Sequence, residues 1–408
     1  NSGTASGFGA TGAVSWDTAS IKTTGFTAVT GTGYFCNTTG GIFTVALPAG
    51  SAGDVVGLAD YAQTFATNNL TVSADGSEKI GGSTNDGLMS TNGVAVTFIY
   101  VDSTRGWIVT DSGSSDDLPI PLFVTATGGT PSQSGDYEIR TFTGPGTFCV
   151  SCAGNAAGST TIDYMIVAGG AGGGVGHSPS GEGGGGGGAG GWRASAGTGS
   201  GCYTAGPSPL TAPVSPVTVS ASPGAYAIVV GGGGALSNAG SCVVGNDGNV
   251  SSGFSITSAG GGGGGTRSYL TPDTGRASGN PGGSGGGAAF SGPAGTTGAV
   301  GAGNTPPESP AQGTSGGLRI SEGGGGGGGA TVAGTTPSPP ATGGGGGTGA
   351  TSCITASPVG YSGGGGGGAP TTGGPATQGG GTGSTGSGAG GSGGCNTGGG
   401  GGGGKGPQ

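Results

Sequence analysis

Few side chains in this sequence have the types and spacing that catalysis or metal binding requires. The 408 residues include a single histidine, His177, in a glycine-rich stretch where a surface loop is expected. Hydrolytic triads and most zinc sites need a well-supported imidazole. Cys149 and Cys152 have Cys-x-x-Cys spacing, but redox chemistry needs a thioredoxin-like context and zinc needs two further ligands. We therefore interpret this spacing as incidental.

The closest carboxylate pairs are predicted to be solvated rather than catalytic. A glycosidase needs two carboxylates that face one sugar. Asp116 and Asp117 lie in a linker-like stretch, and Asp136 and Glu138 lie at a turn and the start of a strand. Gly-x-Gly-x-x-Gly matches are frequent, but none lies in the strand–turn–helix unit that phosphate binding requires. We therefore expect no enzyme activity, no metal and no cofactor.

Aromatic and arginine side chains are stronger candidates for binding, because both types are enriched at binding hot spots. They lie between glycine tracts, where loops are expected. We predict that they form a binding set: Trp192, Arg193, Tyr203, Arg267, Tyr269, Arg276, Arg319 and Tyr361. For the aromatics an alternative stays open, since they could simply cap a glycine lattice against water. The arginines favour binding, because a glycine lattice has no need of charge.

The composition limits the partners that this chain can have. Glycine (116) and proline (24) make up about a third of the residues, above the ~25–30% that is typical of low complexity. Only 7% of residues are charged, and disordered chains usually stay in solution through charge, so we expect this one to fold or assemble. The net charge of −9 arises from residues 1–170. The absence of a basic patch argues against nucleic acid, and no apolar run approaches the ~20 residues of a membrane span.

Residues 1–112 are predicted to form an antiparallel β sandwich or barrel. Short runs rich in β-branched and aromatic residues alternate there with Gly, Asn and Asp turn signals. The predicted strands are residues 41–47, 54–58, 70–73, 94–101 and 106–110. Residues 61–67 are compatible with a short helix or an irregular loop.

A linker and a second β segment are predicted to follow. Residues 113–121 are polar, acidic and end in prolines, which indicates an extended and fairly stiff linker. Residues 122–170 are predicted to be a small β domain. Its strands are expected at residues 122–127, 137–143, 147–151 and 161–168.

Residues 171–408 are predicted to form a bundle of polyglycine II helices with variable loops and almost no α-helix. This extended helix has three residues per turn and no internal hydrogen bonds, so its backbone groups must bond to neighbouring tracts. Only glycine allows such close approach on every side. The uninterrupted tracts are residues 183–188, 231–234, 260–265, 323–329, 343–347, 363–368 and 398–404.

Parts of the sequence resemble the glycine-rich domain of phage tail-fibre proteins. A strand ends in Val-Ala-Gly-Gly within residues 161–174, and polyglycine with an aromatic-basic pair follows in residues 183–193; residues 223–235 and 248–265 fit the next block. Residues 33–48, 53–71 and 98–110 are similar to modules of marine phage fibres. From about residue 280 the resemblance is one of composition alone. The family implies a structural or host-recognition role, and adhesins of T-even-type phages likewise carry polyglycine-helix bundles with receptor-binding tip loops.

We therefore expect a non-enzymatic structural or adhesive protein of the virion or extracellular space. Its expected partners are a bacterial surface receptor, either a glycan or an outer-membrane protein, and itself or other fibre subunits. The alternative is a subunit of a self-assembling extracellular filament, in which residues 1–12 would insert into a neighbouring subunit as an added strand. An ice-binding or matrix protein is a third, weaker interpretation.

Overall fold

The protein is mostly β with almost no α-helix, as predicted. The computed structural model describes residues 14–111, 120–176, 181–195, 215–235, 243–267, 274–291, 296–338 and 341–405. The chain forms two compact units, the first made of Asn1–Thr125 and Cys152–Thr160 and the second of Ala126–Ser151 and Thr161–Gln408. Most of the predicted linker, residues 112–119, lies outside the described residues. The predicted division into four segments stays a prediction.

The first unit contains two β-sheets whose strands alternate along the chain. The sheets have the orders β1-β3-β5-β8-β9 and β2-β4-β6-β7. Their strands are β1 (Ser15–Lys22), β2 (Phe26–Thr27), β3 (Thr32–Cys36), β4 (Phe43–Ala46), β5 (Val55–Asp60), β6 (Leu70–Ser73), β7 (Gly87–Met89), β8 (Ala95–Asp102) and β9 (Gly106–Val109).

The predicted antiparallel arrangement of this unit is wrong for four of its strand pairs. Strands β1, β3 and β5 are parallel, and so are β2, β4 and β6. Parallel neighbours need a crossover connection, and here each crossover is a strand of the opposite sheet. Antiparallel pairing begins after β6, with β6–β7, β5–β8 and β8–β9. The same turn signals mark a hairpin and a step to the other sheet, which is why composition alone could not separate them.

Of the two predicted architectures, the sandwich is present, because both sheets contribute to one apolar core. Val56 and Phe98 come from the five-stranded sheet, and Val45 and Leu70 come from the four-stranded one. Trp107 is fully buried and meets the ring of Tyr100 edge-on at a centroid distance of 5.5 Å.

Residues 61–67 form a loop rather than a helix. The carboxylate of Asp60, at the end of β5, accepts backbone N–H groups of Ala62, Thr64 and Phe65 at 3.2–3.3 Å. These N–H groups are therefore satisfied without helical bonds, as Asp side chains commonly do in turns. The fully buried ring of Phe65 anchors the loop to the core.

The strands of the second unit are shorter and form small sheets. They begin with a three-stranded sheet of order β10-β13-β19. The strands are β10 (Val124–Thr127), β11 (Thr130–Ser134), β12 (Tyr137–Thr141), β13 (Gly146–Ala153), β14 (Thr161–Ile162), β15 (Met165–Val167), β16 (Val175–Gly176), β17 (Trp192–Ala194), β18 (Val217–Thr218), β19 (Ala225–Ile228), β20 (Ser251–Gly253), β21 (Ile256–Ser258), β22 (Phe290–Ser291), β23 (Thr296–Thr297), β24 (Ala350–Ser352), β25 (Val359–Tyr361) and β26 (Gly404–Lys405), and the helix α1 is Thr274–Ala277.

The strand predicted at residues 161–168 is divided into two in the structure. Strand β14 pairs with β18 and β15 pairs with β17. Between them, the hydroxyl of Ser195 donates to the carboxylate of Asp163 at 2.8 Å and accepts the N–H of Tyr164 at 3.0 Å. The Ser195 side chain thus satisfies a backbone group at the point where the strand hydrogen bonds are interrupted.

Glycine tracts build most of the second unit, and seven of them form its interior. Nearly all of their residues are buried. The inner tracts are residues 168–176, 183–191, 259–267, 282–289, 322–330, 361–369 and 398–405.

The central tract, residues 183–191, has hydrogen bonds that repeat every three residues. The N–H groups of residues 183, 186 and 189 donate to carbonyl oxygens within residues 322–328. Those of residues 184, 187 and 190 donate to residues 398–404, and those of residues 185, 188 and 191 donate to residues 259–265. The N···O distances are 2.8–3.0 Å. Three residues per turn and bonding only to neighbours are the properties of polyglycine II. The predicted bundle of these helices is therefore confirmed.

Three further tracts complete the shell around residues 183–191. Their N–H groups, in residues 168–174, 284–287 and 365–368, donate to the carbonyls of the central tract. The three acceptor tracts and the three donor tracts enclose the centre, and each is also bonded to the next around the ring. A Cβ added to Gly186 would lie 2.1 Å from the carbonyl oxygen of Gly365, so only glycine permits this spacing.

Further tracts lie outside the seven inner ones, and two of them, residues 380–385 and 388–393, follow the same three-residue repeat. Thr382 and Thr385 are exposed on one outer tract, and Ala389 and Ser392 are exposed on the next. A helix with three residues per turn points every third side chain the same way. Side chains therefore occupy the solvent face while the intervening residues bond inward.

Candidate functional site

The described connections between tracts lie at the two ends of the lattice. The proximal end is where the chain enters the lattice from β15, and it contains residues 168, 191 and 330. The distal end contains residues 176, 183 and 322. The hydrogen-bond register places these residues at opposite ends of their tracts. At ~3.1 Å per residue the central tract separates the two ends by roughly 25 Å.

Two of the predicted aromatics close the proximal end. Trp192 lies on β17 and is 6% exposed, and Tyr361 lies on β25 and is 8% exposed. Their ring centroids are 5.8 Å apart, and Ala330 and Ala350 belong to the same buried cluster. Rings buried to this degree have little surface for a receptor. Their placement favours the alternative that the aromatics cap the lattice.

Arg193 fixes a loop at the proximal end. Its guanidinium forms an ion pair with Glu308, with 2.6 Å between Nη1 and Oε2. In the same loop the buried Gln312 accepts the backbone N–H of Trp192 through its carbonyl oxygen at 2.8 Å. The Gln312 side chain accepts the N–H of Ala259 at 2.7 Å. The loop is thereby tied to two inner tracts, and Arg193 contributes to its position.

A cluster of charged and aromatic groups closes the distal end. Arg267 ends one inner tract and forms an ion pair with Glu182, which precedes the central tract. Only about a tenth of either side chain is exposed, at 11% and 10%. The guanidinium carbons of Arg267 and Arg319 lie 5.2 and 4.4 Å from the ring centroid of Phe290. Cation–π attraction of this kind is strongest where water is excluded, so the cluster binds three tract ends together.

Arg319 and Arg276 differ in their surroundings. Burial lowers the pKa of the Arg319 guanidinium, and the nearby Glu182 opposes this shift. An arginine keeps its charge throughout the physiological range, so the distal end retains a cation there. Arg276 lies on α1 with an exposed side chain, and its backbone carbonyl accepts the N–H of Thr266 at 2.8 Å.

The structure does not bring the predicted binding set together. Trp192, Arg193 and Tyr361 lie at the proximal end, whereas Arg267, Arg276 and Arg319 lie at the distal end. Tyr203 and Tyr269 lie outside the described residues.

Residue-type reasoning missed the partners of the arginines, which are Glu182, Glu308 and Phe290. One signal was available, because residues 171–408 contain five acidic and five basic residues. Because the lattice excludes side chains, equal numbers of acidic and basic residues indicate that they form ion pairs at its ends.

The residues considered for other chemistry have structural surroundings. Cys149 and Cys152 are free thiols on β13, and Cys36 is a buried free thiol in the first unit. Glu138 forms an ion pair with Arg140 on the same strand. Within the described part of the chain, no cluster of His, Cys, Asp and Glu has the arrangement of a metal site. His177, Asp116 and Asp117 lie outside it.

No helix in the described ranges is long and apolar enough to cross a bilayer. The sequence matches no protein-family model and no curated protein. Function therefore has to be inferred from the lattice and its two ends.

Proposed function

We propose that this chain is a structural and adhesive protein of a virion or the extracellular space, a phage tail-fibre or receptor-binding component. In this role the glycine lattice is a rigid support, and its loops contact a receptor on a bacterial surface, either a glycan or an outer-membrane protein. The observation that carries the proposal is the enclosed central tract, residues 183–191, with the connections gathered at the two ends.

Rigidity is the property that such a support needs. Binding through flexible loops loses affinity because the loops must be ordered. A loop that connects two inner tracts has both of its ends held in place, since each inner tract is hydrogen-bonded to several neighbours. The lattice thus supplies preorganisation, and the sequence of each loop is left to vary without disturbing it.

Of the two ends, the distal one is the better candidate for receptor contact. Strand pairs lie at both ends, with β15–β17, β20–β21 and β24–β25 at the proximal end and β16–β26 and β22–β23 at the distal end. The distal end carries the exposed side chain of Arg276 beside the stacked Arg267 and Arg319. Arginine is enriched in the anchors of protein interfaces and binds carboxylate and phosphate groups through two parallel hydrogen bonds.

Cell binding tests the proposal. Fluorescently labelled protein is incubated with a panel of bacterial cells and with purified lipopolysaccharide, and Arg276→Gln is compared with Arg105→Gln. Both arginines are exposed, but Arg105 lies in the first unit. We expect saturable binding to a subset of cells, weakened by Arg276→Gln and unchanged by Arg105→Gln.

The shape of the purified particles is a separate test. Negative-stain electron microscopy is expected to show discrete particles of fixed size. Open-ended filaments would contradict the proposal, because they require a head-to-tail contact that repeats without closing.

A further inference from the structure

The hairpin β11–β12 is a two-stranded sheet without a third strand among the described residues. Its five pairs run from Thr130↔Thr141 to Ser134↔Tyr137, and the sheet contains only these two strands. Most of its side chains are exposed, and Tyr137 is 55% exposed. An isolated two-stranded hairpin is marginally stable at best in water. A strand added to one edge would stabilise it.

The two edges of the hairpin differ in their capacity to accept a strand. Gly135, with φ 57°, takes the first position of the two-residue turn, as a type II′ hairpin requires. In such a hairpin the closing pair is hydrogen-bonded, and bonded and non-bonded pairs then alternate. Pro131 falls in a non-bonded pair with Arg140, so its nitrogen points out of the hairpin. Because proline has no N–H, the β11 edge is blunted.

The β12 edge has no neighbouring strand among the described residues and, unlike the β11 edge, contains no proline. By the same alternation, the backbone groups of Glu138 and Arg140 point outward along it. The side chains of these two residues share one face of the sheet and form an ion pair within the strand. The edge therefore offers hydrogen-bonding groups at the two residues that carry opposite charges.

We propose that β12 pairs antiparallel with β12 of a second copy of this chain, centred on Ile139. In this register Glu138 lies opposite Arg140 of the second copy, and Arg140 lies opposite its Glu138. The outward-pointing backbone groups belong to the same two residues, so the register that pairs the charges also pairs the N–H and C=O groups. Opposite charges directly across an antiparallel pair are stabilising, and like charges are destabilising.

The resulting sheet has four strands and is closed by its symmetry. The same patch is used by both copies, as in two-fold dimers generally. The outer edges of the new sheet are the two β11 strands, each blunted by Pro131. Pairing therefore stops at two copies. This inference goes beyond the proposed function and does not depend on it.

Charge exchange on the full-length protein tests the register. Arg140→Glu makes the edge acidic and Glu138→Arg makes it basic, and each change places like charges opposite each other in a dimer. Sedimentation velocity is expected to show a wild-type dimer and, for each variant alone, self-association weakened roughly tenfold or more. An equimolar mixture of the two variants is expected to form a heterodimer. The double variant Glu138→Arg/Arg140→Glu is expected to recover the homodimer.

The mixture and the double variant distinguish a loss of pairing from misfolding, because a variant that failed to fold would not form a dimer in either experiment. Asp86→Asn, at an exposed carboxylate of the first unit, is the control for a general effect of charge. A monomeric wild type at all concentrations would overturn the proposal. So would single variants that dimerise as well as the wild type, or a mixture that stays monomeric.

Discussion

The two compact units of this protein are stabilised by opposite means. In the first unit, large apolar side chains such as Phe65, Phe98 and Trp107 fill the space between two sheets. In the second, residues 183–191 have almost no side chains, and their backbone groups bond to tracts on every side. The first unit excludes water by filling space, and the second does so by bringing backbones into direct contact.

This difference determines which substitutions each unit can accept. A sandwich core loses stability when a side chain is removed, because a cavity remains. A glycine lattice loses stability when a side chain is added, because the neighbouring carbonyl has no space into which to move. The most informative substitutions are therefore a large-to-small change in one unit and a small-to-large change in the other.

The largest effect is expected from Trp107→Ala in the first unit. Trp107 is fully buried, and truncation of a buried Trp lowers the free energy of unfolding by about 4 kcal/mol. Chemical denaturation followed by circular dichroism would measure this loss. Amide exchange in residues 183–191 should stay unchanged, and a matching loss of protection there would show that the units do not differ as described.

The counterpart in the lattice is Gly186→Ala, for which we expect a loss of about 3 kcal/mol. Its new Cβ would lie 2.1 Å from the carbonyl oxygen of Gly365. The matched control is Gly232→Ala on the exposed outer tract, where the nearest atom, Nδ2 of Asn249, is 3.8 Å away. The control should be neutral or stabilising by about 0.5 kcal/mol, since alanine restricts the unfolded chain. Equal destabilisation by both changes in calorimetry would contradict the lattice.

A smaller loss is expected when the distal ion pair is broken. Glu182→Gln leaves Arg267 with a neutral partner at a site that excludes most water, and about 2 kcal/mol of unfolding free energy should be lost. Replacing both groups, with Glu182→Leu and Arg267→Met, should be less damaging than the single change because it also removes the buried charge that Glu182→Gln leaves on Arg267. A double variant that loses the sum of both single effects would contradict this account.

The smallest expected effect is a pH dependence of the first unit. Burial raises the pKa of the Cys36 thiol to about 12; Asp60 adds to the shift and Lys22 opposes it. Since the folded state holds this proton more tightly, the stabilisation is complete below about pH 9 and is lost as the pH rises towards 12. At pH 10 the loss should be about 1 kcal/mol. In denaturant titrations at pH 8 and pH 10, Cys36→Ala should be less pH-sensitive than the wild type, and an equal slope would rule out this thiol as the cause.

The strands of the first unit were more predictable than their pairing. Runs such as residues 70–73 and 106–110 correspond to β6 and β9, because β-branched residues alternate with turn signals there. Strands β1 and β3 were not predicted. Gly33 on β3 lies under the ring of Trp16 on β1. A contact between two strands cannot be recognised from the sequence of either strand alone.

The lattice was predictable in kind but not in layout. Uninterrupted glycine identified residues 183–188 correctly as a tract, but it also selected residues 231–234, which lie at the exposed periphery. Residues 168–176 and 282–289 are inner tracts despite their Ala and Ser interruptions. The order in which loops return the chain to the lattice decides which tracts are inner, and composition does not contain that order. For the same reason the binding candidates could not be assigned to the two ends.

Amide hydrogen exchange in the central tract tests the lattice most directly. With glycine labelled by ¹⁵N, exchange at residues 183–191 can be compared by NMR with exchange at Gly57 in the centre of the sandwich. The lattice predicts protection in the central tract at least equal to that of Gly57, and much faster exchange at the exposed Gly232 and Gly233. Uniformly rapid exchange throughout the glycine tracts would show a flexible linker and contradict the account.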